Sequence, residues 1–208
     1  MAVLIDAPRP LRRGLVLLLR LTPGAILTLF AAIPVVGAPS YSEDSVKAAY
    51  LYRFTQYIEW PDAAPSGIPF TIAVLDAPDV AAELRRILPN HRIKNSAAQV
   101  REIARLQDLG SAQMLYIGSA QIDRVRSVVA ALANRPVLVV TDAERGLAAG
   151  SILNFVMLEH RVRFEVSLAA ADRSRLRISA ELLGVATRVE PPDHQSGIAK
   201  TLNDMVGE

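Results

Sequence analysis

The stretch Arg161–Leu183 reads RVRFEVSLAAADRSRLRISAELL and changes its period partway. Val162, Phe164 and Val166 alternate with Arg161, Arg163 and Glu165, the period of two that marks a strand with one buried face. At Ser167 the alternation stops. A hydroxyl there suits a helix N-cap, and LAAADRSR is the short helix it would start. Ser179 is a second cap ahead of AELLGVA, so the segment predicts strand, short helix, turn, helix. Just upstream, SILNFVML is separated from RVRFEVS by Glu159 and His160 alone, and a two-residue link joins strands only as an antiparallel hairpin.

Further upstream the rhythm is different. QMLYIG reads as a strand, AQIDRVRSVVAALAN as a helix and PVLVVTD as another apolar strand, an alternation that argues for a parallel sheet with right-handed crossovers. FTIAVL (Phe70–Leu75) is apolar enough to be covered on both faces. VAAELRRIL is a helix closed by Pro89-Asn90, while QVREI reads as a strand that could instead continue into REIARLQDL as a helix. SEDSVKAAYLYRFTQYIEW is a helix capped by Ser42 and ended by Pro61. Val46, Tyr50, Leu51, Phe54, Tyr57 and Ile58 form its apolar stripe, with Lys47, Arg53 and Glu59 assigned elsewhere on the wheel. The predicted fold is α/β: a mixed, mostly parallel sheet flanked by helices on both faces, with a C-terminal antiparallel hairpin. After Arg188 the chain reads as loop and, over residues 192–208, as a loosely held tail.

Residues 1–38 differ from the rest. Arg9, Arg12 and Arg13 precede the apolar run GLVLLL, Arg20 interrupts it, and LTPGAILTLFAAIPVVGA completes it, in the manner of a secretory signal peptide. A cut after Ala38 satisfies the small-residue rule but leaves Pro39 next to it; cuts after Gly37 or Ser40 avoid the imino acid. The rival is an uncleaved anchor, against which stand Arg20, Pro23 and Pro34. The segment carries four of the 23 basic and one of the 21 acidic residues, so 19 and 20 remain after it. The basic character of the whole chain therefore belongs to the targeting segment, and no nucleic-acid partner is expected. With no cysteine, disulfides, thiolate nucleophiles and thiolate metal sites are all excluded. The expected organisation is a signal peptide over 1–38, one exported domain over 39–191 and a tail over 192–208.

Catalytic and cofactor signatures are sparse. VLDAPDV and YIGSAQI stand where a glycine-rich phosphate loop would be, with at most one glycine. His91, His160 and His194 lack the i, i+4 partner of a metal site, so no metal and no cofactor is expected. Ser119 reads as a helix cap rather than a nucleophile. Asp142 ends an apolar strand, the place where open α/β sheets hold ligands. With Glu144 and Arg145 it either contacts a ligand or partner or forms a solvated loop with Gly146 and Gly150 in its turns. Arg161 and Arg163 share the non-core face of their strand with Glu165, as cross-strand ion pairs do. Arg173, Arg175 and Arg177 cannot share one face of a regular helix, but where the chain turns two guanidinium groups could converge on an anion or carboxylate.

The ordered set KAAYLYRFTQYIEWP (Lys47–Pro61), FTIAVLDAP, QMLYIG, PVLVVTDAERGLAAGSILNFV and RVRFEVSLAAADRSRLRISAELLGVATRV resembles the YfiR-like family of periplasmic YfiR/HmsC-type regulators, over about residues 44–190. The resemblance implies a non-enzymatic, homodimeric α/β sandwich. Such a protein binds the periplasmic sensor domain of an inner-membrane diguanylate cyclase, holds the cyclase inactive, and so lowers cyclic di-GMP and biofilm formation, touching the membrane only through its partner. It also implies partner contacts at the late hairpin and the following helices: Phe155, Arg163, Glu165, Leu168, Arg175 and Ile178, with the rest of Arg175–Ile178. Trp60 is a secondary candidate, read first as packing on the sheet edge. Family members often carry disulfide cysteines; Ala112 and Gln113 stand at one such place, so no redox switch carries over. Two other readings are a small-molecule sensor or carrier binding an anionic or amino-acid-like ligand through Arg163, Arg175, Arg177 or Asp142, and a hydrolase built around Asp142 and Glu144.

Overall fold

The computed structural model describes residues 41–61, 68–89, 91–118 and 122–192. The expected export segment, the Ser119 cap and the tail beyond residue 192 lie outside the described residues. The elements are α1 (Glu43–Tyr57), β1 (Ile58–Glu59), β2 (Phe70–Leu75), α2 (Pro78–Ile87), β3 (Arg92–Ile93), β4 (Ser96–Ile103), β5 (Met114–Ile117), α3 (Ile122–Ala131), β6 (Leu138–Thr141), β7 (Leu153–Leu158), β8 (Arg161–Ser167), α4 (Leu168–Arg173), β9 (Arg177–Ile178), α5 (Ala180–Gly184) and β10 (Arg188–Glu190).

Eight strands form one sheet in the order β10-β8-β7-β6-β5-β2-β4-β3, and β1 with β9 forms a separate two-stranded sheet. Within the large sheet only the β7–β8 and β3–β4 pairs are antiparallel. The mixed, mostly parallel α/β sheet expected from the sequence is therefore present, with its late hairpin. All six residues of β2 are buried, as an unbroken apolar run between two covered faces requires. On one face α1 and α2 set Leu51, Phe54, Val80 and Leu84 against Ile72, Val74, Leu153, Phe164 and Val166. On the other, Val128 and Leu132 at the end of α3 and the 3-10 turn Leu106–Leu109 cover Ala73, Leu75, Leu115 and Ile117. Phe54 and Phe155 stack at 5.7 Å, and Phe164 meets Phe54 edge-on at 5.0 Å. Aromatic pairs of this kind are each worth about 0.5–1.5 kcal/mol beyond the area they bury.

The caps are where the sequence puts them. Ser42 accepts from the Ser45 amide, Ser167 from that of Ala170, and Ser179 from that of Leu182. One reading holds and two boundaries are corrected. Helix α1 ends at Tyr57 rather than at Pro61, because Ile58 and Glu59 leave it to pair with Ile178 and Arg177. QVREI is a strand as read, the second half of β4, and the alternative helix over REIARLQDL is absent; only a 3-10 turn follows. Arg188–Glu190 is an edge strand parallel to β8 rather than loop. Its neighbour β8 still offered an unpaired backbone edge, and the Phe164 carbonyl also takes the Thr187 amide at 2.9 Å.

One feature of the register positions the site. Strand β7 pairs with β8 over six residues, Leu153↔Val166 to Leu158↔Arg161, but with β6 over only two, Val140↔Leu153 and Thr141↔Asn154. The β7–β8 hairpin thus runs on past the end of β6. Its turn is Glu159-His160, both at positive φ (49° and 59°), the pair of conformations a primed two-residue turn demands and one usually given to Asn-Gly.

Candidate functional site

The end of β6 sends successive side chains to opposite faces of the sheet. Thr141, fully buried, donates to the Asn154 side-chain oxygen at 2.7 Å and is hydrogen-bonded to the Ser151 hydroxyl at 3.1 Å. Gly146 lies so close that a Cβ there would come within 2.3 Å of that Asn154 oxygen. This satisfied network fixes the loop after Asp142 against β7.

On the α1 face, Lys47 Nζ lies 2.6 Å from Asp142 Oδ2 and 2.7 Å from Glu43 Oε1, and the Tyr116 hydroxyl donates to Asp142 at 2.9 Å. Lys47 is only 6% exposed, which corrects its assignment to the polar side of the helix. At 100° per residue Lys47 shares the stripe of Leu51, Phe54 and Ile58, at i, i+4, i+7 and i+11. Its place on that stripe was the sequence signal for a buried ion pair with the acid ending β6. Burial acts most strongly on the Lys47 ammonium and would lower its pKa, but the hydrogen bonds and charges of Asp142 and Glu43 outweigh it and hold the pKa above the ordinary lysine value. Burial first, then the Asp142 charge and hydrogen bond, push the Tyr116 hydroxyl well above the ordinary tyrosine value. Asp142 thus sits within structural bonds at the strand end.

Two depressions flank the overhanging part of β7. On the α1 face a cavity of about 130 Å³ is lined by Glu43, Lys47, Asp142, Phe155–Met157 and Val162. A broader cleft of about 410 Å³ is lined by Asp142–Arg145, Asn154–Met157, Glu165 and Arg188. They share Asp142, Phe155, Val156 and Met157, so they are the two sides of one gap beyond β6.

The residues named from the sequence fall in several places. Arg163 and Glu165 are half-buried on the face of β8 away from α1; Arg163 stands opposite Val156, and Glu165 pairs with Arg188 at 3.6 Å. Phe155 is a core residue, 3% exposed and ringed by Tyr50, Phe54 and Tyr116. Leu168 and Ile178 are half-buried against the core. Of the arginines named for an anionic ligand, Arg163 lies on β8, Arg175, at φ 56°, donates to the Asn134 carbonyl, and exposed Arg177 lies 3.9 Å from Glu59 in the small sheet. Trp60 packs edge-on against Phe70 and donates to the Gln113 carbonyl, the structural role expected of it. Sequence reasoning passed over Met157 and Leu158, 49% and 48% exposed at the hairpin end, because a strand pattern does not reveal where the neighbouring strand stops. Among the described residues no group of three or more His, Asp and Glu side chains is placed to hold a metal ion.

A model of the YfiR/HmsC-like family matches residues 44–187, from the first turn of α1 to the residue before β10. The chain belongs to the YfiR/HmsC-like family. The match spans Lys47 and Asp142, the hairpin and the caps of α4 and α5, and stops short of β10. No curated protein matches the chain. YfiR/HmsC-like proteins are regulators, which directs attention to surfaces that meet another macromolecule. Among the described residues no helix is long and apolar enough to cross a membrane.

Proposed function

We propose that this YfiR/HmsC-like chain is a periplasmic, homodimeric regulator without catalytic activity that binds the periplasmic sensor domain of an inner-membrane diguanylate cyclase and holds the enzyme inactive. The observation that carries the reading is the family match over residues 44–187. Asp142, the conspicuous acid, is engaged by a buried ammonium and a phenol, which supports a structural rather than a catalytic use of it. The contact face in this reading is the β7–β8 hairpin: Arg163 and Glu165 with Val156, and the exposed Met157 and Leu158 beyond them. Arginines at such a face are suited to bidentate contacts with partner carboxylates.

The test is deletion of the gene followed by measurement of cellular cyclic di-GMP, with affinity capture of the tagged chain from solubilised membranes. A rise in cyclic di-GMP on deletion, restored by the wild-type chain and not by Arg163→Glu, together with capture of a membrane cyclase, is the expected result. An unchanged nucleotide level with no cyclase captured would end this reading.

A further inference from the structure

Pairing between β6 and β7 ends at Thr141↔Asn154, and the rest of that edge of β7 has no strand beside it among the described residues. Strands β5, β6, β7 and β8 are neighbours in that order, yet β6 stops at Thr141 while β7 continues for four more residues, Phe155–Leu158. In an antiparallel ladder closed by a two-residue turn, the pair next to the turn is hydrogen-bonded and the next is not. Leu158↔Arg161 is therefore the bonded pair, and the N–H and C=O of Met157 point away from β8 into the gap.

We propose that this bare edge of β7 takes an extended segment of the partner protein as an added strand, with a basic side chain toward α1 and an apolar side chain toward the opposite face. This rests on the regulator reading and specifies how the hairpin makes its contact. An inserted strand presents successive side chains to opposite faces, and the two depressions lie on opposite faces of the same edge. The one on the α1 face holds two carboxylates, Glu43 and Asp142, against the single ammonium of Lys47, and Glu43 is half exposed at its mouth. Its net charge is negative and it favours a lysine or arginine. The other face offers Ala143 and Val156 as apolar floor beside the paired Glu165 and Arg188. Main-chain bonds supply affinity in such additions and the alternating pockets supply sequence preference.

The probe is a fluorescent hexapeptide of alternating Lys and Val, with Glu/Val and backbone N-methylated Lys/Val versions as controls, titrated by anisotropy against the purified chain. The Lys/Val peptide is expected to bind, with at least tenfold weaker binding of both controls and slower amide exchange at Met157 in its presence. Met157→Ala, which keeps the backbone, leaves affinity within about threefold; Met157→Pro, which removes a gap-facing N–H and no ladder hydrogen bond to β8, lowers it at least tenfold at an unchanged melting temperature. No binding of the Lys/Val peptide, or equal binding of the N-methylated one to the wild-type chain, overturns the proposal whatever the variants do. So does dissociation of a wild-type dimer by Met157→Pro without peptide, which would assign the edge to a second copy. Peptide binding together with a cyclic di-GMP level unaffected by deletion would keep the strand site and remove the cyclase reading; the reverse result would do the opposite.

Discussion

Replacing Lys47 by Met tests the account of the buried cluster most directly. Methionine nearly preserves the volume of the lysine stem, so the perturbation is the loss of an ammonium 2.6 Å from Asp142 and 2.7 Å from Glu43. Glu43 is half exposed and regains water. Asp142, whose side chain is 8% exposed, does not, and it keeps the Tyr116 hydroxyl as a donor. Removing one member of a buried pair costs about 3–5 kcal/mol because the other charge is stranded. With the phenol retained, the lower end, about 3 kcal/mol, is expected, a fall in melting temperature of roughly 6–12 °C for a domain of this size. The assay is urea unfolding followed by the single tryptophan, Trp60. Lys47→Met/Asp142→Leu removes both charges and should recover at least half of the loss, since an apolar pair of similar size often replaces an ion pair at little cost. Alkaline pH probes the same cluster. Both Lys47 and Tyr116 have folded pKa values raised above their unfolded ones, so their contribution is complete below about pH 10 and is lost as pH rises through the folded values. Lys47→Met should flatten that alkaline limb. A stability within 0.5 kcal/mol of wild type, or strictly additive single and double variants, would refute the reasoning.

Three further outcomes follow from particular contacts. Gly146→Ala places a Cβ 2.3 Å from Asn154 Oδ1 and 2.4 Å from Thr141 Oγ1, inside a buried network, and should cost about 2 kcal/mol in urea unfolding. Glu159→Asn/His160→Gly supplies residues that accept positive φ at both turn positions and should stabilise the chain by about 1 kcal/mol, read as a higher urea midpoint at unchanged slope. Trp60→Phe keeps the packing on Phe70 but loses the donor to the Gln113 carbonyl, for about 1 kcal/mol by thermal unfolding followed by circular dichroism.

What the sequence disclosed and what it withheld divide along the range of the interactions. Val162, Phe164 and Val166 announced β8, and Ser42, Ser167 and Ser179 announced three helix starts, because a period or a cap is written within a few residues. The two-residue link disclosed the hairpin for the same reason. The ion pair joins positions 47 and 142, and an isolated wheel diagram offers no account of why a lysine should stand on an apolar stripe. Only the acid at the end of β6, brought over α1 by three intervening strands of parallel sheet, makes that stripe consistent. The small sheet was withheld likewise, because β1 and β9 have two residues each and exist only through each other. The same argument explains the candidate contact surface. Arg163 and Glu165 were found as an alternating charged face, but what distinguishes that face is the early end of β6, a difference in length between two strands eleven residues apart in the chain. A strand that outruns its neighbour leaves backbone donors and acceptors directed at water, an arrangement proteins ordinarily suppress with short edges, proline or charge. Here the overhang carries Met157 and Leu158, two half-exposed apolar side chains, in place of any of those devices. An edge left open in this way, beside a turn held in a costly conformation, is the part of the fold whose form is least explained by stability and most readily explained by a partner.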